Sequence, residues 1–182
     1  MFKLLKEVFR VGRATVRYPF APHAVSPHFR GKPKFDARRC IACAACTIAC
    51  PPNALAMESD AEAKTRTWSI CFGRCIFCGR CEEVCPTGAI RLSNEFELAV
   101  MRRADLFETA KFRLAECRVC GTPFAPVKEV DYVLALLKQS GLPADAVERQ
   151  RVAVETCPAC KRQADAARVS RLGPARPREA TR

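Results

Sequence analysis

The sequence predicts an α+β fold, and three observations predict it. A cysteine-rich stretch, Cys40–Leu92, consists of two copies of one pattern joined by short segments of strand-forming character. A basic amphipathic segment precedes it. A longer segment with helical periodicity and a second set of cysteines follows it. The chain divides accordingly into an amphipathic helix with an extended docking segment (1–39), a duplicated cysteine domain (40–92), a helical extension with four cysteines (93–160) and a basic disordered tail (161–182).

The duplication is explicit. Cys40-x2-Cys43-x2-Cys46-x3-Cys50-Pro51 returns 35 residues later as Cys75-x2-Cys78-x2-Cys81-x3-Cys85-Pro86. The echo continues, with Pro51-Pro52-Asn53-Ala54-Leu55 answering Pro86-Thr87-Gly88-Ala89-Ile90. Such a repeat predicts pseudo-two-fold symmetry. Between the copies, Ala54–Glu58 and Thr65–Ile70 read as short strands, with Ser59-Asp60-Ala61-Glu62 as the turn.

Composition narrows the use of these thiols. The count of 13 cysteines is odd. The basic N-terminus is followed by no uninterrupted apolar run of a secretory leader, and no stretch nears the roughly 18 apolar residues of a spanning helix. Metal ligation is therefore the expectation, not disulfides. A [4Fe–4S] cube needs one thiolate per iron. Three cysteines spaced by two residues wrap one face of it within a single loop, and the fourth comes from elsewhere. In two-cluster chains the fourth cysteine of each run ligates the other cluster. This assigns Cys40, Cys43, Cys46 and Cys85 to one [4Fe–4S] cluster, and Cys75, Cys78, Cys81 and Cys50 to the second. The fold class becomes a two-[4Fe–4S], bacterial-ferredoxin-like domain with an N-terminal amphipathic helix and a C-terminal helical, zinc-binding extension. Small Ala42, Ala44, Ala45 and Gly79 let backbone N–H groups approach the sulfurs. Ile41, Ile48, Ile76, Phe77 and Val84 are expected to exclude water. Cys71 fits neither run and reads as a structural thiol.

Charge is uneven. The net +12 combines ten basic and two acidic residues in 1–39, 14 and 15 in 40–160, and seven and two in 161–182. The ends are basic. The middle is near neutral before two clusters, each adding about −2, make it acidic.

Beyond the repeat, Cys117-x2-Cys120 and Cys157-x2-Cys160 form a second potential site. Four thiolates suit tetrahedral, structural Zn²⁺. A mononuclear rubredoxin-like iron is the alternative, although the second knuckle ends in Cys160-Lys161 and not Cys-Gly. A third cluster or two unrelated thiol pairs are further readings. The intervening 36 residues contain Val130, Val133, Leu134 and Leu137 at helical spacing, ended by Gly141 and Pro143. That helix can fold the second pair back onto the first.

At 100° per residue, Lys3, Lys6, Arg10, Arg13 and Arg17 share one face of an N-terminal helix, opposite Leu4, Leu5, Val8, Val11 and Val16. Such a helix can lie on a membrane surface or a membrane subunit; an ordinary solvated surface helix is the alternative. Tyr18–Arg39 holds four prolines and reads as an extended connector, with His23 and His28 as surface contacts.

The string Cys75-Ile76-Phe77-Cys78-Gly79-Arg80-Cys81-Glu82-Glu83-Val84-Cys85-Pro86-Thr87-Gly88-Ala89-Ile90, followed by Asn94-Glu95-Phe96-Glu97-Leu98-Ala99, closely resembles the two-cluster subunit I of respiratory complex I and its hydrogenase relatives. Tyr18-Pro19 and Phe29-Arg30-Gly31-Lys32-Pro33 add to it. The second cysteine set, with Phe124-Ala125 and Glu129-x-Asp131-Tyr132 between its pairs, is similar to the iron–sulfur subunits of formate hydrogenlyase and hydrogenase-4. That resemblance implies an electron relay between a formate dehydrogenase module and a [NiFe] hydrogenase. Hydrogenase and other iron–sulfur subunits would be partners, and membrane-arm subunits or the membrane surface would meet residues 1–17. The chain would sit peripherally on the cytoplasmic side of the inner membrane. A complex I-type subunit I and a freely diffusing ferredoxin are the alternatives. Nucleic-acid binding is not expected, because the basic segments lack interleaved aromatics near the second cysteine set and two clusters would be idle. Catalysis is not expected either, because four thiolates leave no open metal position for substrate.

Overall fold

The computed structural model describes residues 2–13, 15–21 and 23–171. Its elements run α1 (Phe2–Val11), β1 (Pro33–Phe35), α2 (Ala45–Ile48), β2 (Leu55–Asp60), β3 (Thr65–Cys71), α3 (Arg80–Val84), β4 (Ile90–Leu92), a 3-10 turn (Arg103–Leu106), β5 (Phe107–Glu116), β6 (Pro123–Pro126), α4 (Val127–Gln139), α5 (Ala144–Val154) and α6 (Pro158–Arg171). The strands form a two-stranded sheet, β1-β4, and a four-stranded sheet in the order β2-β3-β5-β6.

The sequence repeat is a structural repeat at the level of single residues. Leu55 pairs with Ile70 in the β2–β3 hairpin, and Phe35 pairs with Ile90 in the two-stranded β1–β4 sheet. The 35-residue offset carries Leu55 onto Ile90 and Phe35 onto Ile70. The next inward-facing pairs, Met57 with Trp68 and Pro33 with Leu92, obey the same rule. Side chains alternate across a strand, so Trp68 and Ile70 enter the core together. They meet Leu55, Ile90, Phe72, Ala42 and Phe112 there, with Phe35 packed against the cluster. Burying side chains of this size is worth about 1.5–3 kcal/mol each. The core therefore joins the β2–β3 hairpin to the β1–β4 sheet and to β5.

The first hairpin is longer than the sequence suggests. Its strands reach Asp60 and Cys71, and the turn falls at 61–64. Asp60 Oδ1 accepts the Ala63 N–H at 2.9 Å and Lys64 takes φ +52°, which fixes the turn after Asp60.

The Pro-rich connector is pinned on both sides. Gly31 N–H donates to Ser93 O at 2.8 Å, and Ser93 N–H returns a bond to Lys32 O at 3.1 Å. A Cβ on Gly31 would lie 2.2 Å from Glu95 O, so only glycine permits this approach. Tyr18, His23 and Phe29 gather around the Phe96 ring at centroid distances of 5.7, 6.0 and 6.3 Å.

Segment 93–160 was read as helix and loop, and here the structure differs. β5 pairs with β3 along its length, from Thr65–Arg113 to Cys71–Phe107, and β6 pairs with β5. The β5 alternation places Phe112 and Leu114 inward, but its first inward positions are Glu108 and Ala110, so the period-2 signal is weak. The boundary between 92 and 93 is thus bridged by a continuous sheet. Lys128 on α4 bridges the other boundary, donating to the carbonyls of Ala37 and Arg38 at 2.7 and 2.9 Å.

Both ends also depart from expectation. α1 stops at Val11, so Arg13, Val16 and Arg17 are not part of the helix. No residue of α1 is buried. Residues 161–171, expected within a disordered tail, form most of α6; Cys157 and the carbonyl of its knuckle hold the helix start, with Lys161 N–H on Cys157 O at 3.0 Å. The remaining tail, 172–182, lies outside the described residues.

Candidate metal centres

Each cysteine run begins as a loop of left-handed turns. Ala42, Ala44 and Asn53 have φ of +58°, +64° and +49°; their 35-residue mates Phe77, Gly79 and Gly88 have +54°, +84° and +59°. Left-handed backbone costs a side-chain-bearing residue about 1–2 kcal/mol. Four of these six positions are not glycine, so the loops hold a shape that local preference opposes. The shape turns N–H groups toward sulfur. Ala42 N lies 3.3 Å from Cys40 Sγ. Ala54 N lies 3.2 Å from Cys50 Sγ, and its mate Ala89 N lies 3.1 Å from Cys85 Sγ.

The thiols gather in two cavities. One is lined by Cys40, Cys43, Cys46 and Cys85, with Phe35, Ile41, Met57 and Ile90 among its walls. The other is lined by Cys50, Cys75, Cys78 and Cys81, with Pro33, Leu55, Ile70, Phe77 and Leu92. α2 and α3 pack together, and the chain leaving each helix carries Cys50 or Cys85 into the cavity of the other run. Four thiols, apolar walls and inward N–H groups are the donor set that a [4Fe–4S] cube requires. Ile41 and Ile76 line the cavities, but Ile48 is 86% exposed and lines neither. Sequence reasoning did not single out Met57, Leu92 or Trp68, although the repeat pairs the first two.

Electrostatics differ among the thiols. Burial pushes Cys40 up to about 11 and Cys81 up to about 12, and raises Cys46 and Cys75. At Cys85 burial also pushes upward, but the N–H groups of Ile90, Thr87 and Ala89 outweigh it and hold the thiol below its ordinary value. Thiolates are the metal-binding form, so metal must displace protons from most of these sites. Guanidinium groups stand close by. Arg30 Nη1 donates to Cys78 O at 2.9 Å, and Arg39 and Arg91 flank Gly88.

The second set of cysteines also converges. The sulfurs of Cys117, Cys120, Cys157 and Cys160 all lie within 4.8 Å of one another. Cys120 and Cys157 are 3.7 Å apart, near the edge of about 3.8 Å that a tetrahedron with 2.3 Å metal–sulfur bonds has. Cys157 N–H donates to Cys117 Sγ at 3.2 Å and holds that thiol down at about 6. Hydrogen bonds to Cys120 and Cys157 keep the proton on Cys160, pushing it up to about 12. Arg118 N–H on Glu155 O at 3.1 Å ties the first knuckle to the end of α5. The group fits a four-thiolate metal ion.

The other singled-out residues lie apart from these groups. Cys71 is half-buried at the end of β3 and lines neither cysteine cavity. His23 rests on Phe96 and His28 is exposed.

Comparison with known proteins agrees with this geometry. A family model of the 4Fe-4S dicluster domain matches residues 39–89. Formate hydrogenlyase subunit 6 of Escherichia coli (strain K12) is 52% identical over 163 residues, covering 90% of this chain and 89% of that protein. NAD(P)H-quinone oxidoreductase subunit I of Gloeobacter violaceus is 34% identical, covering 65% of this chain and 60% of that one. A chain in a structure of the membrane-bound sulfane sulfur reductase, an archaeal respiratory membrane complex, shares 30% identity at a TM-score of 0.44, covering 58% of this chain and 57% of that chain. The near full-length match, together with the dicluster domain, shows that this chain belongs to the formate hydrogenlyase subunit 6 family.

Proposed function

We propose that this chain is an electron-relay subunit of a membrane-associated formate hydrogenlyase-type complex. The observation that carries the reading is the pair of four-thiol cavities, each completed by a cysteine from the other half of the repeat. Cys40, Cys43, Cys46 and Cys85 would hold one [4Fe–4S] cluster, and Cys50, Cys75, Cys78 and Cys81 the other. When bound, each cluster supplies one-electron storage. The chain's own residues do the rest: the left-handed loops present N–H groups to sulfur, the apolar walls exclude water, and the nearby arginines offset negative charge.

Cys117, Cys120, Cys157 and Cys160 would hold a structural Zn²⁺ that locks α6 to the β5–β6 end of the sheet. The second knuckle lacks the glycine of a rubredoxin-type loop, which favours zinc over iron. All three donor sets are closed, so the chain conducts electrons and does not itself catalyse. The unit boundaries at 39/40, 92/93 and 160/161 serve as functional divisions: docking segment, relay, metal-locked extension and tail.

The apolar face of α1 supports docking. Phe2, Leu5, Val8 and Phe9 are 86, 56, 59 and 79% exposed, and among the described residues nothing covers them. No helix among the described residues is long and apolar enough to cross a membrane. We infer peripheral attachment through α1 and a membrane subunit, at the cytoplasmic face of the inner membrane as the formate hydrogenlyase resemblance implies. The 52% identity to the hydrogenlyase subunit, against 34% to subunit I, favours this assembly over a complex I-type one.

Affinity purification of the tagged chain from membranes of its native host tests the reading. The expected product contains a hydrogenase and formate-oxidising subunits and shows two [4Fe–4S] signals by electron paramagnetic resonance (EPR). A free monomer in the soluble fraction would overturn it.

A further inference from the structure

The 35-residue symmetry breaks at one informative place. Pro33 lines the second cavity, and its symmetry mate, 35 residues on, is Trp68. Both side chains are fully buried. Proline has no N–H to donate. Tryptophan carries an indole N–H donor. The Trp68 Nε1–H is buried and makes no hydrogen bond to any protein atom among the described residues. Leaving such a donor unpaired costs about 1–3 kcal/mol.

The position of the ring identifies what the donor faces. Trp68 stacks on Phe35 and pairs across the sheet with Met57, and both of those residues line the first cavity. Cys40, Cys46 and Cys85, three of the four thiols of that cavity, pack against the same core cluster as the ring.

We propose that Trp68 Nε1–H donates to a ligand sulfur of the first cluster when that cluster is bound, and that this donation sets its potential apart from that of the second. The inference rests on the assignment of Cys40, Cys46 and Cys85 to that cluster. A donor on a ligand sulfur stabilises the more negative, reduced form, so it raises the potential. Pro33 supplies no counterpart at the second cluster. Trp68 is a positioning residue that acts through a ligand sulfur on the redox equilibrium.

The chain contains a single tryptophan, which makes the test clean. EPR-monitored redox titration of the intact, cluster-loaded protein is compared between wild type and Trp68→Phe, which keeps an aromatic ring for stacking. The expected result is a fall of about tenfold in the one-electron reduction equilibrium of one cluster, equivalent to about 59 mV, with the other unmoved. Equal shifts in both clusters, or none, would overturn the inference while leaving the relay reading in place. Wild-type protein labelled with ¹⁵N only at the indole nitrogen gives a second readout that needs no variant. A ¹⁵N coupling to one reduced cluster is expected in pulsed EPR; its absence from both also overturns the inference. A wild-type protein without two [4Fe–4S] signals would overturn the relay reading and this inference with it.

Discussion

The rings of Phe35 and Trp68 lie face to face, with centroids 3.7 Å apart and planes 9° from parallel. Phe35 belongs to the β1–β4 sheet and Trp68 to the β2–β3 hairpin, so this contact helps fasten the two symmetry-related strand pairs together. Phe35 precedes the first cysteine, yet it is part of the core. Phe35→Ala is expected to destabilise the cluster-loaded protein by about 3 kcal/mol, at the lower end for buried aromatics because Phe35 is only partly covered. Phe35→Leu should retain most of the stability. Thermal unfolding followed by loss of cluster absorbance checks both. Equal tolerance of alanine and leucine would contradict the role of the stack.

Single cysteine variants separate crossed from uncrossed ligation. Cys50→Ala should abolish the cluster associated with Cys75, Cys78 and Cys81 and leave the other. Cys85→Ala should do the reverse. EPR of the reduced variants, with iron counted per chain, distinguishes the two. Loss of the cluster belonging to the variant's own run would refute the crossing.

How far the site could be read before the fold was known follows from its chemistry. Cysteines at intervals of three can lie on one loop, and the pattern of two-cluster chains, in which the fourth cysteine of each run serves the other cluster, assigned Cys50 and Cys85 to opposite sites. The helix at 127–139 was legible from the spacing of Val130, Val133, Leu134 and Leu137. β5 was not, because Glu108 and Ala110 occupy its first inward positions and pairing with the central strand β3 supplies the missing preference. The helical nature of 161–171 was hidden for a different reason: its polar composition gives no apolar stripe, and the knuckle at Cys157–Cys160 anchors it. Trp68 was passed over because its role depends on which residue the symmetry places opposite it.

Metal analysis of the purified chain is expected to find one zinc beyond the iron of two clusters. Cys117 is held at about 6, but Cys160 keeps its proton up to about 12, so metal must displace that proton at neutral pH. Zinc affinity should therefore rise with pH. A colorimetric zinc-release assay between pH 5.5 and 8 reads this, with retention weakest at the acidic end. One extra mononuclear iron and no zinc would reassign the site.

Burial raises the Glu129 carboxyl above its ordinary value, and Arg66, 3.9 Å away, only partly counters it. The folded state thus binds the Glu129 proton more tightly than the unfolded chain does. Its contribution to stability is complete below the unfolded carboxyl's value and is lost as pH rises through the folded one. Glu129→Gln should raise the unfolding temperature at pH 7, with the gain shrinking as pH falls toward 5. A lower unfolding temperature at pH 7 would show that the Arg66 pairing outweighs burial.

Deleting residues 1–17 removes α1 but leaves β1 and Phe35. The truncated chain is expected to keep both EPR signals and to leave the membrane fraction. Leu5→Glu combined with Val8→Glu should act in the same direction. Unchanged retention of both variants would dissociate α1 from docking.

The cavity that opens with Cys40 is closed only by Cys85, and the one that holds Cys50 awaits Cys75, Cys78 and Cys81. During synthesis, then, the second set of four thiols is complete only once residue 81 has emerged from the ribosome, and the first only once residue 85 has. Under the crossed assignment, a chain that ends before the second run has no finished donor set for either cluster.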